Sequence, residues 1–159
     1  MSPARFLDRG LHRRLVDGLY LEAMVMADEA RSYFDQRETS MGEIDDPLRR
    51  VSFACESLKV TTRLMHVIAW LLSQRAWQRG EIADADLTDE KYRLGRAAST
   101  DTEVALAFPF AARALIEASQ ELYDRVSRLQ DSMDKMARPT AQQAANPARA
   151  LMDRLNLAF

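Results

Sequence analysis

Between Val51 and Ala76 the residues Val51, Cys55, Leu58, Thr62, Met65, Ala69, Leu72 and Ala76 follow one another in alternating steps of four and three. That spacing holds side chains on one face of an α-helix and reads as a long packing seam. A second series, Val60, Leu64, Val67 and Leu71, obeys the same rule and, at about 100° per residue, points roughly opposite to the first. A helix on the surface of a globule needs one apolar stripe, so two stripes put this helix at the centre of a bundle or at a subunit interface. The first stripe is expected to pack within the chain. The second is expected to pair two copies, which makes Val60, Leu64, Val67 and Leu71 the candidate dimer-interface residues. Asp45-Asp46-Pro47 offers a cap and a first-turn proline at the start of the helix, and Gly80 a C-terminal cap near Arg75 and Arg79.

Two further helices flank it in sequence. The first is predicted from about Leu11 to about Gln36, with Leu15, Leu19, Ala23, Met26, Ala30 and Tyr33 or Phe34 facing inward. Gly18 within it suggests a close helix crossing or, as the alternative, simple tolerance near a helix end, because a mid-helix glycine costs about 1 kcal/mol relative to alanine. The third carries Leu115, Ser119, Leu122, Val126, Leu129, Met133 and Met136 and is expected to end before Pro139. Its start is signalled twice, by Ser99-Thr100 with Glu103 as a capping box and by Pro109 as a first-turn residue. The stretch from Glu81 to Asp101 is charged and without a sustained stripe, and the pattern leaves its conformation open. The expected architecture is all-α: an up-down-up three-helix bundle over residues 1–138 that forms a homodimer, followed by a linker and flexible apolar tail over 139–159. In that tail Leu151, Leu155, Leu157 and Phe159 could serve as a tethered groove-binding peptide or fold back on the bundle.

Composition agrees with helix throughout, since the 159 residues include only 5 glycines and 5 prolines. A net charge of -2 and a pI near 5.7 disfavour nucleic-acid binding, which needs a basic surface, and leave protein partners as the expectation. The lone Cys55 lies on the helical seam and reads as a small buried hydrophobe in a reducing compartment, the cytoplasm. Met1 to Gly10 lacks the apolar core of a signal peptide, and no run approaches the ~20 apolar residues of a membrane span.

Candidate chemistry is sparse. A di-iron bundle needs Glu-x-x-His pairs, but Arg63 stands three residues before His66, and His12 lies among arginines. Cys55 and His66 are about three helical turns apart, too far to share a metal. No nucleophile stands in an evident relation to His66, which reads as a half-buried polar residue beside the core, and the scattered glycines build no phosphate loop. The chain is therefore expected to be no enzyme and to need no cofactor or metal. Arg5, Arg9, Arg13 and Arg14 could meet an acidic partner or simply solvate a helix end. Trp70 and Trp77, seven apart, could pack in the core or anchor a partner.

The block Ala54-Cys55-Glu56-Ser57-Leu58-Lys59-Val60-Thr61-Thr62-Arg63-Leu64-Met65, continued by Ala69-Trp70-Leu71-Leu72 and Gln74-Arg75-Ala76, resembles the signature of the RcdA-like family. The resemblance extends to Leu19-Tyr20, Glu22-Ala23 and Ala30, to Gly80-Glu81, and to Ser119, Leu122-Tyr123 and Arg125-Val126 through Leu129, so it spans most of residues 15–130. Members are regulators of CtrA degradation in alphaproteobacteria. The resemblance implies a dimeric, non-catalytic three-helix bundle that acts as an adaptor for the ClpXP protease in cell-cycle control, bringing substrates or other adaptors to ClpX. A C-terminal tail that helps engage the protease would give Leu151, Leu155, Leu157 and Phe159 a partner-binding role. The alternative reading is a dimeric helical interaction or signalling protein with one dedicated partner and no link to proteolysis.

Overall fold

The computed structural model describes residues 3–41, 46–144 and 147–157. Among them every regular element is helical: α1 (Pro3–Met41), α2 (Pro47–Gln78), α3 (Thr102–Leu106), α4 (Phe110–Ala144) and α5 (Pro147–Leu157), with single 3-10 turns at Asp86–Thr88 and Glu90–Tyr92. The chain divides into two compact units, Met1–Asp124 and Arg125–Phe159.

The ends of α2 follow from local chemistry as expected. The Asp46 carboxylate accepts from the Leu48 amide at 3.0 Å, and Pro47, with no N–H to leave unpaired, takes the first turn. At the other end Gly80 adopts φ +78°, which lets its amide reach Trp77 O at 3.0 Å while the Glu81 amide reaches Ala76 O at 2.9 Å. This pair of bonds satisfies carbonyls that a helix end otherwise leaves open.

α1 and α2 form an antiparallel pair. Phe34 of α1 meets Phe53 near the start of α2 at 5.4 Å between ring centroids, while His12 and Asp17 meet Gln78 and Arg75 near its end, at 2.8 and 3.5 Å. Val16, Leu19, Ala23, Ala30 and Phe34 supply the buried face of α1. Leu15, expected inside, is exposed, and Val16 takes its place. A Cβ at Gly18 would meet nothing within 4 Å, so this glycine marks no helix crossing.

The two stripes of α2 exchange their expected roles. Val60, Leu64, Val67 and Leu71, anticipated at a dimer interface, are buried within the chain beside Phe53 and Trp70. The anticipated internal seam faces outward: Val51, Leu58, Met65 and Leu72 are 60, 65, 65 and 47% exposed, and Cys55 is exposed as well. The physical reason is volume. The buried stripe is made of branched side chains that fill space, whereas the outward one alternates its large residues with Cys55, Thr62, Ala69 and Ala76, which fill less.

The up-down-up order also needs correction. After Gly80 the chain makes its two 3-10 turns and then runs back along α2, with Gly95 beside His66, Ala98 and Thr100 beside Arg63, and Phe108 against Phe53. α4 then starts near the beginning of α2, and Ser119 lies opposite Arg63, so α4 runs in the same direction as α2. An extended return strap of this kind has no hydrophobic period to announce it. Thr100, expected in a capping box, instead donates its hydroxyl to Glu56, and α3 begins after Asp101.

On α4 the buried face is Ala112, Ile116, Ser119, Leu122 and Val126, with Ile116 in place of the expected Leu115 and with Met136 exposed. The helix does not stop before Pro139 but continues to Ala144. A proline interrupts one backbone bond at a cost of about 3 kcal/mol, which the turns on either side can absorb. The stretch expected as a flexible tail is likewise helical over Pro147–Leu157, where proline occupies the first turn and alanine, leucine, methionine and arginine favour helix. Phe159 lies outside the described residues.

Candidate functional site

Among the described residues the outward face of α2 is left uncovered along several turns. Val51, Leu58, Met65 and Leu72 stand one heptad apart, with Cys55, Thr62, Ala69 and Ala76 at the alternate positions, which is the a/d arrangement of a coiled-coil seam. The hydroxyls on and beside this face turn back onto the helix: Ser57 donates to Ala54 O at 2.9 Å, Thr61 to Ser57 O at 2.9 Å, Thr62 to Leu58 O at 2.8 Å and Ser73 to Ala69 O at 3.0 Å. The face therefore presents carbon more than polar atoms. Next to it, α1 and α2 enclose a groove of about 640 Å³ lined by Ala27, Ala30, Phe34, Val51, Ala54 and Met65 among others. Grooves of this size and polarity suit apolar side chains from a partner.

Behind the seam a buried polar cluster fixes the scaffold. Arg63 is fully buried; its Nε donates to Ala98 O at 3.0 Å, one terminal nitrogen to Ser119 Oγ at 3.1 Å, and the other to the Thr100 hydroxyl. Thr100 in turn donates to Glu56 Oε2 at 2.6 Å, and Glu56 Oε1 receives Lys59 Nζ at 2.8 Å. Ser119 donates its own hydroxyl to Ile116 O at 2.9 Å. Burial pushes the Arg63 guanidinium below its ordinary pKa, and the Glu56 and Asp124 carboxylates oppose that shift. The cluster ties the return strap and α4 to the inner side of α2. Glu56 and Arg63 share a stripe with Val60 and Val67, and charged residues on a stripe otherwise apolar were the signal that could have exposed this cluster from sequence.

His66 is half-buried, as expected, and its ring lies directly under the strap. A Cβ at residue 95 would collide with the imidazole, so only glycine fits there, and Tyr123 holds the same residue by donating to Gly95 O at 2.8 Å. Trp70 is buried, whereas Trp77 is partly exposed and donates to Asp84 Oδ1 at 2.7 Å, bracing the connector. His12 stands edge-on to Trp77 at 5.5 Å and bonds Gln78 at 2.8 Å. Burial lowers the His12 pKa, and contact with Gln74 opposes that only in part.

On α5, Leu151, Leu155 and Leu157 are all exposed, together with Met152. Among the described residues no group of three or more His, Cys, Asp or Glu side chains is placed to hold a metal ion, and no helix is long and apolar enough to cross a membrane.

Comparison with known proteins gives this geometry a lineage. Among curated proteins none matches. The family described as "Protein of unknown function (DUF1465)" matches residues 7–159. Among solved structures the chain is similar to RcdA from Caulobacter crescentus CB15, with 31% identity and a TM-score of 0.59 over 75% of this chain and 91% of that one. A match along nearly the whole sequence, joined to that likeness in structure, means that the chain belongs to the DUF1465 family and is RcdA-like.

Proposed function

We propose that this protein is a non-catalytic adaptor in regulated proteolysis, working in the cytoplasm as a homodimer that presents cargo or other adaptors to the ClpXP protease. The observation that carries the reading is the outward seam of α2, a heptad-spaced apolar face without a cover among the described residues, in a chain related to RcdA. In this reading two copies pair through Val51, Leu58, Met65 and Leu72 rather than through the buried Val60, Leu64, Val67 and Leu71. α5 offers Leu151, Leu155 and Leu157 to ClpX, a short amphipathic helix of the kind that lies in a groove. Two weak contacts joined in one molecule gain orders of magnitude through effective concentration, so delivery needs no bond chemistry.

The test is capture from an alphaproteobacterial lysate on immobilised full-length protein and on a form ending at Ala144, which lacks α5. The reading expects ClpX on the full-length form and much less on the shortened one. Recovery of a single other protein, equally on both, would replace it with the dedicated interaction dimer.

A further inference from the structure

Where the first part of α1 meets the end of α2, a cleft of about 240 Å³ is lined by Arg13, Asp17, Arg75, Gln78 and Arg79. Three guanidinium groups from two helices thus share one small space with a single carboxylate. Asp17 is already engaged, at 3.5 Å from Arg75 Nε, and the same arginine lies over the Tyr20 ring at 4.6 Å. Arg13 and Arg79 have no side-chain partner among the described residues. The C-terminal dipole of α2 contributes about half a negative charge, which leaves the cleft with a surplus of roughly one and a half positive charges. This surplus stands in a chain whose net charge is -2, so it is local and not part of a general basic surface.

We propose that this cleft binds an acidic peptide segment of a partner protein, with Arg13 and Arg79 as the principal contacts and Arg75 released from Asp17 to join them. Guanidinium groups bind carboxylates in paired hydrogen bonds, and several converging on one cleft favour consecutive acidic side chains over an isolated one. No aromatic side chain lines the cleft, so it lacks the ring platforms on which single-stranded nucleic-acid sites stack successive bases. The proposal goes beyond the adaptor reading and does not rest on it, since it is tested without protease.

The experiment is fluorescence anisotropy of fluorescein-labelled hexaglutamate with the full-length protein, beside hexaglutamine and a single-stranded oligonucleotide. Hexaglutamate is expected to bind, more weakly as salt rises from about 50 to about 200 mM, and hexaglutamine not to bind. Arg13→Gln with Arg79→Gln should weaken binding about tenfold or more, while Arg96→Gln, an exposed arginine on the strap, should leave it unchanged. Asp17→Asn removes the internal competitor and should tighten binding, a gain that misfolding could not produce. Absence of hexaglutamate binding, an equal loss in Arg96→Gln, or no gain in Asp17→Asn would overturn the proposal. An oligonucleotide bound as tightly as the peptide would overturn the assignment to a peptide partner.

Discussion

Adjacent residues 64 and 65 give the sharpest test of the proposal that one face of α2 is core and the other pairs two copies. Leu64 is 3% exposed and Met65 65% exposed, because one step along the helix turns a side chain by about 100°. Full burial of such a side chain stabilises by about 1.5–3 kcal/mol, so Met65, with a third of its surface covered, contributes roughly 0.5–1 kcal/mol to the fold of one chain. Met65→Glu should therefore lower the melting temperature only slightly. In the proposed dimer it would place a carboxylate from each copy in one apolar seam, and desolvation with like-charge repulsion should cost on the order of 3–4 kcal/mol, or a dissociation constant raised 100- to 1,000-fold. Leu64→Glu forfeits the burial of Leu64 and leaves an unpaired carboxylate in the core, together on the order of 5 kcal/mol or more. That approaches the whole stability of a domain this size. Sedimentation velocity and thermal unfolding of the three proteins read both quantities. Met65→Glu should be folded and monomeric, and Leu64→Glu largely unfolded. A folded, monomeric Leu64→Glu, or a Met65→Glu that dimerises like the unmodified chain, would refute the reasoning.

Three other perturbations probe the scaffold. Arg63→Met should destabilise by about 3–5 kcal/mol in denaturant titration, because Thr100, Ser119 and Ala98 O lose their shared donor and Glu56 its nearby cation; Arg63→Lys, lacking the fork, should recover only part of the loss. Gly95→Ala should cost about 1–3 kcal/mol by driving a methyl into the His66 ring, and His66→Ala in the same chain should relieve most of that, a coupling that a double-mutant cycle measures. Because burial holds the His12 pKa below its ordinary 6.5, the unfolded chain takes up this proton before the folded one does. Stability should be greatest above about pH 6.5 and fall as pH drops below it, and His12→Gln should flatten that decline in melting temperature.

What the sequence displayed and what it concealed divide by distance along the chain. The start and stop of α2 were legible because Asp46, Pro47 and Gly80 act within a few residues of their own position. The inner positions Leu19, Ala23, Ala30, Ser119, Leu122 and Val126 were legible because their period matches the helix. Which of two equivalent stripes on α2 faces the chain's own core was not, since periodicity fixes the angle between stripes and says nothing of what lies opposite either. The direction of α4 depends on the strap past Arg63 and His66, held by a guanidinium and a tight glycine contact rather than by any repeat. The helix through Pro139 ran against a local rule that continuity of the surrounding turns overrode. The heptad of Val51, Leu58, Met65 and Leu72 was expected to pack within the chain, and the structure leaves it exposed.

The most direct test of the adaptor account is the rate at which purified ClpXP degrades a protein captured with this chain, measured with and without the full-length chain at equal substrate concentration. The account predicts faster degradation in its presence, with the chain itself not consumed and with Met65→Glu and the form ending at Ala144 both impaired. A degradation rate that is the same with and without the chain would contradict it.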